Sequence, residues 1–145
     1  GKTHHGCSVL LGVIEICPYW DTRFVVFGEL VSRIRGTYGV RGASSEAVLM
    51  PYLRCPVLML DDVGIGRQTD DTLTVLQLIV NHRYNANLPI VATSQFNLEQ
   101  LVSRLNVDGE DGADMVASRL AQMCEPVEFR HADRRLAARR VHKRE

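Results

Sequence analysis

The feature that most constrains the fold is an apolar run that ends in two adjacent carboxylates near the middle of the chain. The run extends from Val57 to Leu60 and leads directly into Asp61 and Asp62, with Gly64 shortly after. Because the apolar residues are continuous rather than alternating, they predict a strand buried on both faces, as in a parallel sheet between helices. The acids would then lie at the carboxyl end of the strand, where open α/β sheets bind their ligands.

The acid pair has two interpretations. Two adjacent carboxylates in a partly dry cleft are unfavourable unless a cation or a proton offsets their charge. Mg²⁺ is the simplest cation for ligands that are all oxygen, which makes Asp61 a candidate magnesium ligand. An exposed Asp-Asp turn at a strand end is equally common, so the acid pair alone leaves both interpretations open.

The composition is that of an ordinary globular domain. Of the 145 residues, 46% are hydrophobic and 23% charged, and the formal net charge of zero gives no chain-wide basic field that would indicate nucleic acid. The basic residues are nevertheless concentrated near the end, since seven of the 17 Lys and Arg lie in the last sixteen positions. Residues 131–145 therefore form a basic tail, which is either solvated or in contact with phosphates.

The four cysteines show no close pairing. This spacing argues against a zinc site and against a disulfide framework, and reduced thiols in a cytoplasmic protein are expected. No apolar run approaches the length that spans a membrane. We therefore predict a protein without a membrane segment.

Patterns typical of helices and of strands alternate along the chain. Strands are predicted at residues 22–27, 58–62, 88–93 and 126–130, and helices at 7–17, 29–38, 44–54, 69–85, from 97, and at 115–123. Ser44 and Thr69 are predicted N-caps, Asn97 and Gln100 form a capping box, and Pro51 is a candidate early helix end. This alternation predicts a single α/β domain, residues 1–145, with a parallel sheet flanked by helices.

Gly1, Lys2 and Thr3 precede an apolar helix and match the last third of a phosphate-binding loop. In such a loop the lysine reaches the β- and γ-phosphates, the threonine hydroxyl binds Mg²⁺, and the amides of the helix N-terminus face the anion. Three residues are a weak match by themselves. Their position at the start of a helix favours the match.

Motifs along nearly the whole chain, in their order and spacing, resemble the DnaC/DnaI-type helicase loaders, which are AAA+ ATPases related to the IstB-like transposition ATPases. The motifs are Gly-Lys-Thr-His at residues 1–4, the acidic strand at 58–64, Arg83-Tyr84 before the strand and Thr-Ser-Gln at 88–95, Ser-Arg-Leu at 118–120, Met-Cys-Glu at 123–125 and Asp-Arg-Arg at 133–135. The resemblance implies an AAA+ P-loop NTPase, a three-layer sandwich with a mainly parallel sheet.

The resemblance also implies a nucleotide site for ATP and Mg²⁺. Gly1, Lys2 and Thr3 would bind phosphates, with Thr3 also a magnesium ligand. Asp61 would hold Mg²⁺ directly or through water. Asp62 stands where the wider superfamily has a glutamate that polarises the attacking water, and its shorter arm argues against strong hydrolysis.

The resemblance implies three further residues that would contact the bound nucleotide in the same or in a neighbouring subunit. Gln95 occupies the polar position that faces the γ-phosphate, although loop capping is the alternative role. Arg119 would be the arginine finger offered to a neighbouring subunit, which implies self-association; a helix-surface charge is the alternative. Arg135 would sense nucleotide within its own subunit, with Arg134 competing for that role.

Four residues after the second predicted strand are candidates for contact with single-stranded DNA. They are Arg33, Arg35, Tyr38 and Arg41. The arginines would follow the phosphates, and Tyr38 would stack on a base. A solvated loop is an equally good interpretation.

The resemblance places the strand before the phosphate loop, and the first glycines of the loop, upstream of Gly1. We therefore expect a sheet that lacks this central strand. We also expect the 145 residues alone to bind ATP poorly, to hydrolyse it weakly or not at all, and to be marginally stable or to self-associate.

The function implied for the full-length parent is that of an ATPase that loads the replicative helicase onto single-stranded DNA. One alternative is an IstB-like helper ATPase in transposition. Another is a nucleotide-sensing module that binds the helicase with little hydrolysis. A turnover measurement would separate the last alternative from the first.

Overall fold

The computed structural model describes residues 1–106 and 112–129. The helices are α1 (Lys2–Ile16), α2 (Phe27–Arg35), α3 (Ser45–Arg54), α4 (Asp70–Asn85), α5 (Leu98–Leu105) and α6 (Gly112–Met123), and the strands are β1 (Arg23–Val26), β2 (Leu58–Val63) and β3 (Ile90–Ser94). None of these helices is both long and apolar enough to cross a membrane. The basic tail, with Arg134 and Arg135, lies outside the described residues.

The three strands form one parallel sheet in the order β1-β2-β3, with β2 in the centre. In its register Leu60 of β2 lies beside Val25 of β1 and Ala92 of β3. Each pair of neighbouring strands is connected through helices, as parallel pairing requires. The predicted α/β fold with a parallel sheet is confirmed.

The central strand is buried on both faces, as its continuous apolar run predicted. Leu58, Met59 and Leu60 are all 0% exposed. Leu58 and Leu60 pack into the larger core with residues from α2 to α6, whereas Met59 packs on the other face with Leu10 of α1. Helices therefore cover both faces of the sheet and make three layers, as the resemblance implied.

Arg83, in the last turn of α4, is a fully buried charged residue. It is 0% exposed and donates hydrogen bonds to five backbone carbonyls, those of Tyr52, Leu53, Cys55, Pro56 and Pro89. No carboxylate of the described residues pairs with it, and burial lowers its pKa. The guanidinium thus fixes the end of α3 against the residues that enter β2 and β3.

Local capping chemistry follows the sequence in two places. The Ser44 side chain accepts a hydrogen bond from Ala47 N and begins α3, and Asn97 with Gln100 forms the predicted capping box of α5. Thr69 is the N-cap residue of α4, as predicted, but its side chain makes no capping bond. Pro51 lies inside α3 and does not end it.

Several predicted boundaries are wrong, including the start of α6, which lies at Gly112 and not at 115. The first helix begins already at Lys2, and α2 begins directly after β1 and ends at Arg35, which leaves Tyr38 in the following loop. Residues 126–129 form no strand. A strand needs a neighbour, and these four residues pair with none of the three strands in the described sheet.

Candidate nucleotide site

The two acids lie in an irregular turn of β2 at the carboxyl edge of the sheet. The regular register with β3 is interrupted between Leu60 and Val63, and Asp62 has a φ of 59°. Aspartate is among the few residues other than glycine that adopt this left-handed conformation readily. A bulge of this kind re-aims side chains, so Asp61 and Asp62 point differently from residues in a regular strand.

Thr93 of β3 fixes both acids. Its hydroxyl donates to Asp61 Oδ1 at 2.5 Å and accepts from the backbone nitrogen of Asp62 at 3.0 Å. Asp61 is only 3% exposed, and its Oδ2 accepts no hydrogen bond from the described residues. The carboxylate is therefore held by one oxygen and leaves the other available to a cation.

The edge of the sheet that carries Asp61 and Asp62 could hold a magnesium ion that is shared with a nucleotide. Nowhere in residues 1–106 and 112–129 do three or more His, Cys, Asp or Glu side chains gather as a metal cage. Mg²⁺ is commonly bound by one or two carboxylates together with substrate phosphates and water. A single oriented aspartate with one free oxygen fits that arrangement.

The direction of α1 is fixed by Gly6, which packs directly on the sheet. A Cβ at this glycine would lie 2.5 Å from Met59 Cε and 3.4 Å from Thr93 Cγ2. Further along the helix, Leu10 packs with Met59 and Val57, closer to the amino end of β2. The first turn of α1 therefore lies at the same carboxyl edge as the two acids.

Lys2 and Thr3 occupy this first turn. Lys2 is half-buried, Thr3 is exposed, and neither side chain bonds to another described residue. Gly1 provides no side-chain cap, and no acidic residue lies in the first turn. No acidic side chain of this first turn offsets the positive end of the helix, and a helix N-terminus is a site that favours anions.

Gln95 follows β3 at the same edge and is exposed, without a hydrogen bond to the residues that the structure describes. The residue before it holds the strand ends together: Ser94 Oγ donates to Val63 O at 2.7 Å and accepts from Phe96 N at 3.1 Å. The structure thus brings Gln95 to the edge that carries Asp61 and Asp62.

The loop behind the acids begins at Gly64, which the sequence singled out, and is supported by three residues that sequence reasoning missed: Gln68, Leu101 and Arg104. Gly64, with a φ of 85°, packs against Leu101, and its carbonyl accepts from Arg104 Nε at 3.1 Å and Gln68 Nε2 at 3.0 Å. Arg104 also stacks on Phe96, 4.5 Å from the ring centroid. Gly6 was missed as well, because it precedes the helix that was predicted at residues 7–17.

Arg119 lies apart from the acids. It projects from α6 onto the last turns of α4, where its guanidinium donates to Asn81 Oδ1 and lies 5.3 Å from the centre of the Tyr84 ring. The neighbouring Arg83 binds carbonyls at the amino ends of β2 and β3. The structure therefore places Arg119 toward the amino edge of the sheet and does not bring it to Asp61.

The candidate DNA contacts are largely engaged within the protein. Arg33 donates to the Tyr52 hydroxyl, and Arg35 and Tyr38 both bond to a carboxylate on α4. Arg41 is exposed and makes no hydrogen bond or ion pair with another described residue.

The fold and the edge geometry define the class of protein: the chain has the AAA+ P-loop NTPase fold. The crystal structure of the DnaC helicase loader matches with a TM-score of 0.70 and 26% identity, covering 86% of this chain and 70% of that chain. The crystal structure of DnaI matches with a TM-score of 0.63 and 26% identity, covering 72% of this chain and 55% of that chain. These matches confirm the resemblance to the DnaC/DnaI-type loaders.

The similarity has clear bounds. The chain spans little more than half of the DnaI chain. No family model matches the sequence, and no curated protein matches it.

Proposed function

We propose that the chain is the nucleotide-binding part of a cytoplasmic ATPase that loads a replicative helicase onto single-stranded DNA. The observation that carries this proposal is the similarity to the DnaC helicase loader over 86% of the chain. The clustering of Lys2, Thr3, Asp61 and Asp62 at one edge of the sheet supports nucleotide binding at that edge.

The residues at this edge have separate roles in the proposal. Lys2 and the amides of the first turn of α1 bind phosphate oxygens, while Thr3 and the free Oδ2 of Asp61 hold Mg²⁺. When bound, Mg²⁺ neutralises negative charge on the transferred phosphoryl group. Asp62 orients the attacking water, and Gln95 contacts the γ-phosphate.

Arg119 acts in a neighbouring subunit in this proposal. Its position toward the amino edge supports this role, because the residue cannot serve a nucleotide at the opposite edge of its own sheet. Arg135, outside the described residues, is proposed to sense nucleotide within its own subunit. Of these two roles, only that of Arg119 requires an assembled protein.

A hydrolysis-weak nucleotide sensor is the second candidate function. It is favoured by Asp62, whose carboxylate has a shorter arm than a glutamate and whose backbone lies in the left-handed region. The helper role in transposition stays a prediction from sequence.

The test measures helicase loading by the full-length protein onto single-stranded DNA, with ATP binding and ATP turnover followed in parallel. Lys2→Ala should abolish nucleotide binding and loading. Asp62→Asn should keep binding and lose turnover, and it is the suitable variant because asparagine also tolerates a positive φ. Loading that is independent of ATP would overturn the proposal, and little or no turnover by the wild type, with ATP binding kept, would favour the sensor.

A further inference from the structure

One acidic side chain holds two of the four candidate DNA contacts. Asp71, in the first turn of α4, accepts from Arg35 Nε on its Oδ2 at 3.1 Å and from the Tyr38 hydroxyl on its Oδ1 at 3.2 Å. Both oxygens of one carboxylate are therefore occupied by residues that the sequence assigned to a phosphate-binding surface.

The same arginine also reaches the start of α4. Arg35 Nη2 donates to the hydroxyl of Thr69, and that hydroxyl lies 3.0 Å from the hydroxyl of Thr72. Thr69 is the N-cap residue, but its side chain makes these contacts and does not accept a hydrogen bond from a backbone amide of the helix. We call Arg35, Tyr38, Thr69 and Asp71 the Asp71 latch; it joins the end of α2 to the start of α4.

The contacts of the latch are partly exposed to solvent and weak enough for another ligand to replace Asp71. The side chains of Arg35 and Asp71 are 39% and 42% exposed, and Tyr38 is 53% exposed. Ion pairs with such exposure contribute little to stability. Desolvation, with a further effect of Asp71, raises the pKa of Tyr38, so the phenol remains a hydrogen-bond donor at neutral pH.

The closed latch leaves little positive charge free on this surface. Arg33 Nη2 lies 3.5 Å from Glu29 Oε2, and Arg35 is paired with Asp71. Among the four candidate residues, Arg41 alone makes no ion pair or hydrogen bond with the part of the chain that the structure describes. A surface in this state binds phosphate poorly, whereas release of Asp71 would free a guanidinium and a phenol together.

We propose that Asp71 occupies the place of a backbone phosphate, and that single-stranded DNA binds by displacing it from Arg35 and Tyr38. A carboxylate and a phosphodiester accept hydrogen bonds from a guanidinium in the same way. The exposed ring of Tyr38 selects single strands, because it can stack on an unpaired base. This inference rests on the DNA contact in the proposed function and adds its regulation.

The experiment measures binding of a fluorescent oligo-dT by anisotropy, with the full-length wild type, Asp71→Asn and Asp70→Asn. Asp70 is the matched control because it lies beside Asp71 in the same turn and is exposed. It forms no hydrogen bond or ion pair within the described residues. Asp71→Asn should tighten binding about three- to fivefold, within the upper part of the range for a lost exposed ion pair. Asp70→Asn, with the same change in net charge, should alter the Kd less than twofold.

A second variant covers the case in which Asp71→Asn does not fold. Tyr38→Phe removes the hydroxyl bond to Asp71 but keeps the ring, so it should tighten binding in the same direction by a smaller factor. Adding Arg35→Gln to Asp71→Asn should remove the gain.

The outcomes separate the latch from the DNA surface. If Asp71→Asn and Asp70→Asn have equal effects, or if both bind the oligonucleotide with the Kd of the wild type, the latch is overturned. The proposed DNA contact is not affected by either result. No binding of the oligonucleotide by any variant overturns both the latch and the proposed DNA contact.

Discussion

The hydroxyl of Thr93 lies 2.5 Å from Asp61 Oδ1 and 3.0 Å from the backbone nitrogen of Asp62, so one side chain on β3 orients both acids of β2. Thr93→Val has nearly the same shape but no hydroxyl, and it leaves the partly buried amide of Asp62 without its acceptor. We expect the free energy of unfolding to fall by about 1–3 kcal/mol in urea titrations. Thr93→Ser keeps the hydroxyl and should lose clearly less; equal losses would contradict the role of the hydrogen bonds.

Gly6 and Gly12 lie in the same helix and should respond in opposite directions to alanine. A Cβ at Gly6 would come within 2.5 Å of Met59 Cε, whereas nothing lies within 4 Å of one at Gly12. Gly12→Ala should stabilise the protein by about 0.5–1 kcal/mol through helix propensity. Gly6→Ala should destabilise it by about 1–3 kcal/mol through overpacking. Thermal melts of both variants check this, and stabilisation by both would contradict the overpacking expected at Gly6.

Arg83 should be far less tolerant of replacement than an exposed arginine nearby. Arg83→Met leaves several buried carbonyls without donors, and we expect a loss of about 2–4 kcal/mol in the free energy of unfolding. Arg54→Met, at an exposed position in the last turn of α3, is the control and should change stability by about 0.5 kcal/mol or less. Similar losses for the two variants would show that the buried hydrogen bonds contribute little.

Tyr84 should position Arg119 in the assembled protein. Arg119→Ala should reduce ATP turnover by at least about tenfold while nucleotide binding is kept, as expected for an arginine finger. Tyr84→Leu removes the aromatic ring beneath the guanidinium and should reduce turnover about two- to fivefold. Tyr84→Phe keeps the ring and loses only the hydroxyl bond to Gln122, so its turnover should match the wild type. Unchanged turnover in Arg119→Ala would remove the finger assignment.

Short-range signals account for the parts of the fold that could be predicted from the sequence. The continuous apolar run predicted a strand buried on both faces, and the alternation of helices and strands predicted parallel pairing. The capping box of Asn97 and Gln100 depends on residues three apart and was also visible. The gathering of Lys2, Thr3, Asp61 and Gln95 at one edge agrees with the site implied by the resemblance, although their roles stay predictions.

The features of the fold and of the site that could not be predicted depend on contacts between residues far apart in the sequence. A charged side chain such as Arg83 is normally exposed, and nothing in its neighbours along the chain indicates that five carbonyls surround it. Arg35 and Asp71 are 36 positions apart, so their ion pair left no local pattern. Residues 126–129 have the composition of a strand, but pairing is decided by the neighbouring strand and not by composition.

The contacts of Arg83 also bear on how far such a chain can diverge. The guanidinium recognises backbone carbonyls of the residues around Cys55 and Pro89 rather than particular side chains. Those segments could therefore exchange most of their side chains and keep every one of these hydrogen bonds, provided that the arginine stays. An anchor of this type fits a fold that stays similar to that of the DnaC helicase loader, with a TM-score of 0.70, at 26% identity.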